Sequence, residues 1–94
     1  MTRCLMMGKY SQESITDISP NRTEKSVNLI KDLGGKVISM YAILGGFDLL
    51  FIVDFPKLET AMKASLALTL LTGISFTTYP AVSVEEFDKL ASKL

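Results

Sequence analysis

Few side chains on the apolar segments of this sequence have the chemistry to bind a ligand. The candidate ligand-binding residues are Lys9, Tyr41, Asp48, Thr77 and Tyr79. Hydroxyl and phenol groups orient small organic molecules by hydrogen bonding, and an amine attracts an anionic group. Aromatic packing explains the tyrosines better than ligand binding does, and a solvated strand end explains Lys9 equally well. These residues therefore predict ligand contacts but no particular reaction.

The two aspartates of the central apolar segment are too far apart to act as a catalytic pair. Asp48 and Asp54 are six residues apart, which corresponds to about 20 Å along an extended strand. Asp48 closely follows Gly45 and Gly46, and a hydrogen bond from this turn to its carboxylate is favoured over a ligand contact. Asp54 precedes Phe-Pro and is interpreted as a strand-end or helix-entry residue.

Charge and composition exclude several classes of function. Ten Lys and Arg residues balance ten Asp and Glu residues, so no net field attracts nucleic acid or an anionic membrane. The sequence has no histidine and a single cysteine, Cys4. This excludes an intrachain disulfide, His-based catalysis and most metal sites. We expect no metal, no cofactor and no nucleic-acid partner, and we interpret Cys4 as a packing residue.

No segment is predicted to enter a membrane or to direct export. The apolar run near the N-terminus is shorter than the core of a signal peptide, which needs about 7 to 15 residues. Residues 64–84 carry no charge, but Gly73, Pro80 and seven Ser or Thr residues interrupt them. A membrane helix needs about 20 predominantly apolar residues instead. The sequence therefore predicts one cytoplasmic domain spanning residues 1–94, with no membrane partner.

Capping residues mark the first strand and helix. Residues 3–10 are predicted as strand one, and a polar connection with room for one helical turn follows. The first helix begins either at Ser19 and Pro20 or at Asn21 with Glu24, and a pair of glycines ends it.

The centre of the sequence predicts a β-hairpin. Residues 36–44 and 47–55 are rich in β-branched and aromatic side chains, and Gly45 and Gly46 separate them. Two glycines favour a tight primed turn, because both central residues of such a turn have φ > 0. Strands two and three are therefore predicted to be antiparallel neighbours.

The C-terminal half predicts a helix, a strand and a further helix. Residues 58–71 form the second helix, and residues 74–82 alternate as strand four, with Pro80 indicating an edge strand. Ser83 and Glu86 have the spacing of a capping box for a last helix. The order is β-α-β-β-α-β with a C-terminal helix. It predicts the α+β class, a ferredoxin-like fold and a four-stranded antiparallel sheet.

The third strand predicts that the sheet needs a partner. Right-handed crossovers send both helices to one face of the sheet, yet residues 49–53 are apolar on both faces. An apolar open face indicates a homodimer or a higher homo-oligomer. Leu50 and Ile52 share a side with Asp48 and Asp54, and we assign that side to the interface.

Several short motifs, covering nearly the whole chain, resemble the GYD domain family. They are Leu5-Met6-Met7-Gly8-Lys9-Tyr10, Leu33-Gly34-Gly35-Lys36-Val37, Met40-Tyr41, Gly45-Gly46-Phe47-Asp48 and Leu71-Thr72-Gly73-Ile74-Ser75-Phe76-Thr77-Thr78. The resemblance implies a dimeric α/β barrel. The family's Gly-Tyr-Asp stretch stands here as Gly-Phe-Asp, so no role can depend on that tyrosine hydroxyl. The hairpin is also similar, more loosely, to the effector-binding domain of leucine-responsive (feast/famine) regulators, which implies small-ligand sensing.

Two classes of function remain compatible with these features. The first is a non-catalytic, oligomeric module that binds a small ligand or has a regulatory role. The second is a cofactor-independent enzyme of the monooxygenase or isomerase type, which rests on analogy with other dimeric α/β barrels. The absence of histidine and of paired carboxylates favours the binding module.

Overall fold

Four antiparallel strands form one sheet in the computed structural model, which describes all 94 residues. In chain order the elements are β1 (Thr2–Lys9), α1 (Gln12–Thr16), α2 (Pro20–Asp32), β2 (Lys36–Ala42), β3 (Leu49–Phe55), α3 (Leu58–Thr72), β4 (Ser75–Ala81) and α4 (Val84–Ala91). The strand order across the sheet is β2-β3-β1-β4. The predicted α+β class, ferredoxin-like order and antiparallel sheet are confirmed.

The core lies between the sheet and the two long helices, because alternate strand residues point to opposite faces. Cys4 and Met6 of β1 are fully buried, and so are Val53 and Phe55 of β3. These side chains form one cluster with Ile30 of α2 and with small and aliphatic residues of α3. Cys4 is therefore a packing residue, as predicted.

The helix boundaries follow the capping residues. The Ser19 Oγ accepts a hydrogen bond from the Arg22 amide, and Pro20 is the first residue of α2. This decides between the two predicted helix starts. Gly34 (φ 80°) and Gly73 (φ 73°) follow α2 and α3 in the left-handed region, where glycine carries no steric penalty. The polar connection after β1 contains one helical turn, α1.

The connection between β2 and β3 differs from the predicted hairpin. β2 ends at Ala42 and β3 begins at Leu49, so residues 43–48 form a loop rather than a two-residue turn. Gly45 has a φ of 151°, but Gly46 does not have a positive φ. A tight primed turn has two residues between the strands, and its type I′ form has positive φ at both of them, so the predicted turn is wrong.

The reason for the longer loop is that Asp48 is bonded to β1 as well as to the loop. Its amide donates to the Gly8 carbonyl oxygen at 2.8 Å, while its own carbonyl oxygen accepts from the Ile43 amide at 2.9 Å. The Asp48 carboxylate also accepts from the Tyr10 amide at 2.9 Å. These bonds hold the start of β3 against β1 and leave the glycines in an open loop.

The last helix lies apart from the core. None of the residues of α4 is buried, and Phe87 and Leu90 are 62% and 58% exposed. These two residues are three apart and lie on one stripe of the helix. The structure therefore leaves the apolar side of α4 without a partner in the same chain.

The loop geometry predicts that the two adjacent glycines respond differently to an added methyl group. We expect Gly45→Ala to lower the free energy of unfolding by about 1 kcal/mol relative to Gly46→Ala, because only Gly45 has a φ that L-residues avoid. An added Cβ meets no atom within 4 Å at either position, so Gly46→Ala is a matched control. Urea denaturation of both variants measures the difference. Equal midpoints and equal slopes would contradict the loop conformation.

Candidate functional site

A cavity opens between the first half of α2 and the end of the sheet where β1 and β2 finish. Its volume is about 160 Å³. The large apolar side chains that line it from the sheet and from the residue before β4 are Met40, Leu49, Phe51, Ile74 and Phe76. The residues with polar groups in the lining are Tyr10, Ser19, Arg22, Thr23, Ser26 and Tyr41.

The cavity exists because α2 has no large apolar side chain in its first half. Residues 20–25 contain no aliphatic or aromatic side chain apart from the proline ring, whereas Val27, Leu29 and Ile30 follow in the second half. Ser26 and Ile30 are the buried residues of the helix. The second half of α2 therefore fills its space above the sheet, and the first half leaves space unfilled.

The inner end of the cavity is apolar and continuous with the core. Met40, Leu49 and Phe76 pack against the core cluster, in which Phe51 is buried. The rings of Phe51 and Phe76 are 5.3 Å apart between centroids and tilted by 44°, a favourable arrangement for two aromatic rings. A cavity of about 150 Å³ with an aliphatic and aromatic lining accommodates a benzene ring. The inner end therefore fits one small apolar group.

Arg22 provides the single charge in the cavity lining. Its Nη1 donates a hydrogen bond to the Ser14 carbonyl oxygen, and its guanidinium carbon lies 5.7 Å from the centroid of the Tyr10 ring. No carboxylate lies within 4.0 Å of this guanidinium, since none of the four ion pairs in the structure includes it. The half-buried outer end of the cavity thus has an uncompensated positive charge.

The aliphatic hydroxyls of the lining are occupied by backbone partners. Ser19 accepts from the Arg22 amide, Thr23 donates to the Ser19 carbonyl oxygen, and Ser26 donates to the Arg22 carbonyl oxygen. The lining contains no carboxylate, imidazole or amine, which are the usual general bases. The arrangement is suited to holding a ligand rather than to moving a proton.

The structure separates the five candidate residues predicted from the sequence. Lys9 and Asp48 form an ion pair, with 3.6 Å between Nζ and Oδ2. The expected bond of Asp48 to the glycine turn is absent, because its carboxylate accepts from the Tyr10 amide instead.

Among the other candidates, Tyr41 belongs to the cavity lining. Thr77 and Tyr79 of β4 pair with Met7 and Leu5 of β1, on the sheet face that no helix covers. The five candidates therefore lie in three places instead of one site.

Sequence reasoning did not identify Arg22, although a signal was present. The first turn of a helix favours acidic residues because the helix dipole places partial positive charge there. The first turn of α2 has no acidic residue and contains Arg22 instead. A cation at that position is electrostatically unfavourable for the helix and indicates another partner for its charge.

The uncovered sheet face is apolar at its centre; it is called the open face below. Leu5 and Met7 of β1 pair with Ile52 and Leu50 of β3. All four side chains remain partly exposed, while the intervening residues of both strands face the helices. Tyr41 pairs with Leu50 from one side. The predicted orientation of Leu50 and Ile52, away from the helices, is confirmed.

One end of the open face carries a bidentate ion pair. The Arg3 Nε and Nη2 donate to the two Asp54 carboxylate oxygens at 2.8 and 3.0 Å. The hydrogen bond from Arg3 lowers the pKa of Asp54, and the charges of Arg3 and Lys36 lower it further. On the other face of β1, burial raises the pKa of the Cys4 thiol, and the Asp54 charge adds to this effect. Cys4 therefore stays protonated, in keeping with packing.

Two classes of feature are missing from the structure. It contains no group of three or more His, Cys, Asp or Glu side chains that could hold a metal ion. None of its helices combines the length and apolar character required to cross a lipid bilayer.

The fold and cavity define a ferredoxin-like α+β domain with one small pocket beside its core. Residues 4–91 match the family model of the GYD domain. The chain therefore belongs to the GYD domain family, which confirms the resemblance drawn from the motifs. No curated protein matches the chain.

Solved structures share this fold at low sequence identity. The crystal structure of Mycobacterium tuberculosis Leucine response regulatory protein (LrpA) matches with a TM-score of 0.58 and 7% identity, over 87% of this chain and 51% of that chain. A crystal structure described only as a glutamate-to-alanine mutant has the same TM-score and identity, over 87% and 50% of the two chains. The chain thus spans about half the length of these neighbours. The likeness shows the fold alone.

The ion pair on the open face predicts a pH-dependent stability difference. Because the folded-state pKa of Asp54 is lowered, its stabilising contribution is present above about pH 4 and is lost as pH falls through the folded-state pKa. We expect Asp54→Asn to be less stable than wild type at pH 7, and we expect this difference to be smaller at pH 2. Thermal unfolding at both pH values measures this.

The control for this experiment is Glu59→Gln, which removes an exposed carboxylate 3.9 Å from the Lys57 ammonium group. We expect this variant to have little effect at either pH, since exposed ion pairs contribute little. A stability difference for Asp54→Asn that stays constant down to pH 2 would contradict the role of the ion pair.

Proposed function

We propose that this protein is a homo-oligomeric, non-catalytic module that binds a small ligand in the cavity beside α2. The observation that carries the proposal is the combination of an apolar interior, one cation and no carboxylate, imidazole or amine in a single partly enclosed cavity. A regulatory role is supported by the fold shared with a leucine response regulatory protein. That support is an analogy of fold, and it concerns about half of the neighbour's chain.

The candidate residues receive distinct roles in this proposal. Tyr41 borders the cavity, but it pairs with Leu50 of the open face, so its phenol lies on that face and not towards α2. Lys9 and Asp48 hold the backbone of Tyr10 at the cavity rim through their ion pair and hydrogen bond. Thr77 and Tyr79 reach a ligand only where two subunits meet, because they lie on the open face.

The homo-oligomer accounts for the open face. Four apolar side chains of the open face are partly exposed to water: Leu5, Met7, Leu50 and Ile52. Moving such a side chain from full exposure to full burial contributes about 1.5–3 kcal/mol. The charges at the end of the face are paired within the subunit, as Arg3 and Asp54. A second copy can therefore stack on the open face about a two-fold axis without bringing unpaired like charges together. The product is a dimeric α/β barrel.

The apolar stripe of α4 extends the same surface. A surface pocket lies at the end of the open face next to α4. It is lined by Arg3, Asp54 and Ala81 of the sheet and by Glu86 and Phe87 of α4. Phe87 thus borders the face that we assign to the partner. A second copy that covers the face also gives α4 the apolar neighbour that it lacks within one chain.

The ligand-binding proposal predicts saturable binding of a neutral aromatic probe. We expect benzyl alcohol to shift the amide resonances of Met40, Phe51 and Phe76 in a ¹H–¹⁵N spectrum, because these residues line the apolar end of the cavity. Residues on the exposed side of α3, such as Leu66, serve as the control and should not shift. Shifts that fail to saturate, or that are spread evenly over the surface, would contradict a ligand cavity at this place.

The oligomer proposal predicts that one lysine substitution disrupts assembly while a similar one does not. Ile52→Lys places two charges close to a two-fold seam, at a cost of several kcal/mol per buried ion. Leu70→Lys introduces the same side chain at an exposed position of α3 and should leave assembly unchanged. Analytical ultracentrifugation distinguishes the two variants. A wild-type protein that stays monomeric at micromolar concentration rules out the oligomer.

A further inference from the structure

We propose that the ligand of this cavity is a small apolar molecule with a single carboxylate, and that Arg22 is the residue that binds the carboxylate. The inference rests on the proposed ligand-binding function and adds the chemical class of the ligand. It is carried by the one charge in the cavity lining and by the burial gradient along the cavity.

The Arg22 guanidinium carries a charge that the folded chain leaves without an anionic partner. This guanidinium is half-buried and has no carboxylate partner. It makes one side-chain hydrogen bond, through Nη1 to the Ser14 carbonyl oxygen. A guanidinium has five N–H donors, so most of its donors are free to bind a ligand. A partly desolvated cation gains free energy from an anionic partner, which the folded chain does not provide.

Two contacts hold the Arg22 guanidinium in place. The Ser14 carbonyl oxygen fixes one nitrogen, and the Tyr10 ring lies against the guanidinium at 5.7 Å from its centroid. Two contacts of different kinds restrict the long arginine side chain before a ligand binds. A preorganised, planar donor group matches the two oxygens of a carboxylate, which can accept a bidentate pair of hydrogen bonds.

The cavity offers too few donors for a ligand of higher charge. A phosphate dianion needs several donors, but the Thr23 and Ser26 hydroxyls already donate to backbone carbonyl oxygens, and the Ser19 hydroxyl accepts from the Arg22 amide. No second lysine or arginine lines the cavity. One guanidinium therefore matches one negative charge, and a monocarboxylate fits better than a phosphate ester.

The cavity volume sets the size of the apolar part of the ligand. The cavity has a volume of about 160 Å³ and extends from Arg22 at its outer end to the core side chains Phe51 and Phe76. This is room for a group of about the size of benzene. The ligand class is thus a short aliphatic or aromatic monocarboxylate, with its apolar end towards the core and its carboxylate at Arg22.

The test compares two probes of similar size with the whole 94-residue chain. Benzoate carries the carboxylate, and benzyl alcohol is its neutral counterpart. We expect wild type to bind benzoate at least about tenfold more tightly than benzyl alcohol, because hydrogen bonds to charged groups contribute more than neutral ones. Titrations followed by ¹H–¹⁵N spectra give both dissociation constants.

Three variants separate ligand binding from a structural role of Arg22. Arg22→Met keeps the length of the side chain and removes its charge, and we expect it to weaken benzoate at least tenfold while leaving benzyl alcohol unchanged. Arg22→Lys keeps the charge without the planar donor group, and we expect an intermediate affinity for benzoate. Lys25→Met removes an equal charge from the same helix outside the cavity lining, and we expect no effect on either probe.

Each result has a defined meaning. Equal affinity of wild type for the two probes, or an equal loss of benzoate binding in Lys25→Met, overturns the carboxylate inference and leaves the ligand-binding proposal standing. A loss of both probes in Arg22→Met, with native circular dichroism, shows a structural role and also overturns the inference. If wild type binds neither probe, both proposals are wrong.

Discussion

The structure depends on one constraint: both long helices lie on the same face of a sheet whose central strands are apolar on both faces. The core on the covered face follows directly, with Met6, Val53 and Phe55 fully buried beneath α2 and α3. The opposite residues of the same strands, Leu5 and Ile52, have no such cover. The stability of the fold and its proposed assembly therefore have the same physical cause, which is the burial of apolar surface.

The cavity results from an uneven distribution of apolar residues along α2. The second half of the helix carries Val27, Leu29 and Ile30 and packs closely, whereas the first half carries polar and charged side chains. The same sequence feature that leaves the space also places Arg22 at its rim. A binding site beside the core thus requires no irregular backbone, only a helix that is apolar along half of its length.

Much of the fold could be predicted from the sequence because local signals agree with the tertiary structure. Ser19, Gly34 and Gly73 mark helix ends by mechanisms that act within a few residues. The orientation of the Leu50 and Ile52 side chains away from the helices follows from strand alternation and from the aspartates that share their side of the strand. These features need no knowledge of distant contacts.

The parts that could not be predicted depend on distant contacts. The glycine loop opens because Asp48 bonds to Gly8 and Tyr10, about forty positions earlier in the sequence, and no local rule contains that information. Arg22 was missed for a similar reason. Its significance comes from the sheet residues opposite it and from the absence of a carboxylate partner, and both are properties of the folded chain.

Isotope-filtered NMR on a mixture of labelled and unlabelled protein shows whether a second copy covers the open face. We expect intermolecular nuclear Overhauser effects between the methyl groups of Leu5, Leu50 and Ile52 in one subunit and the open face of the other. Effects confined to α3 would indicate a different interface. An absence of intermolecular effects at millimolar concentration would contradict the claim that the open face is covered.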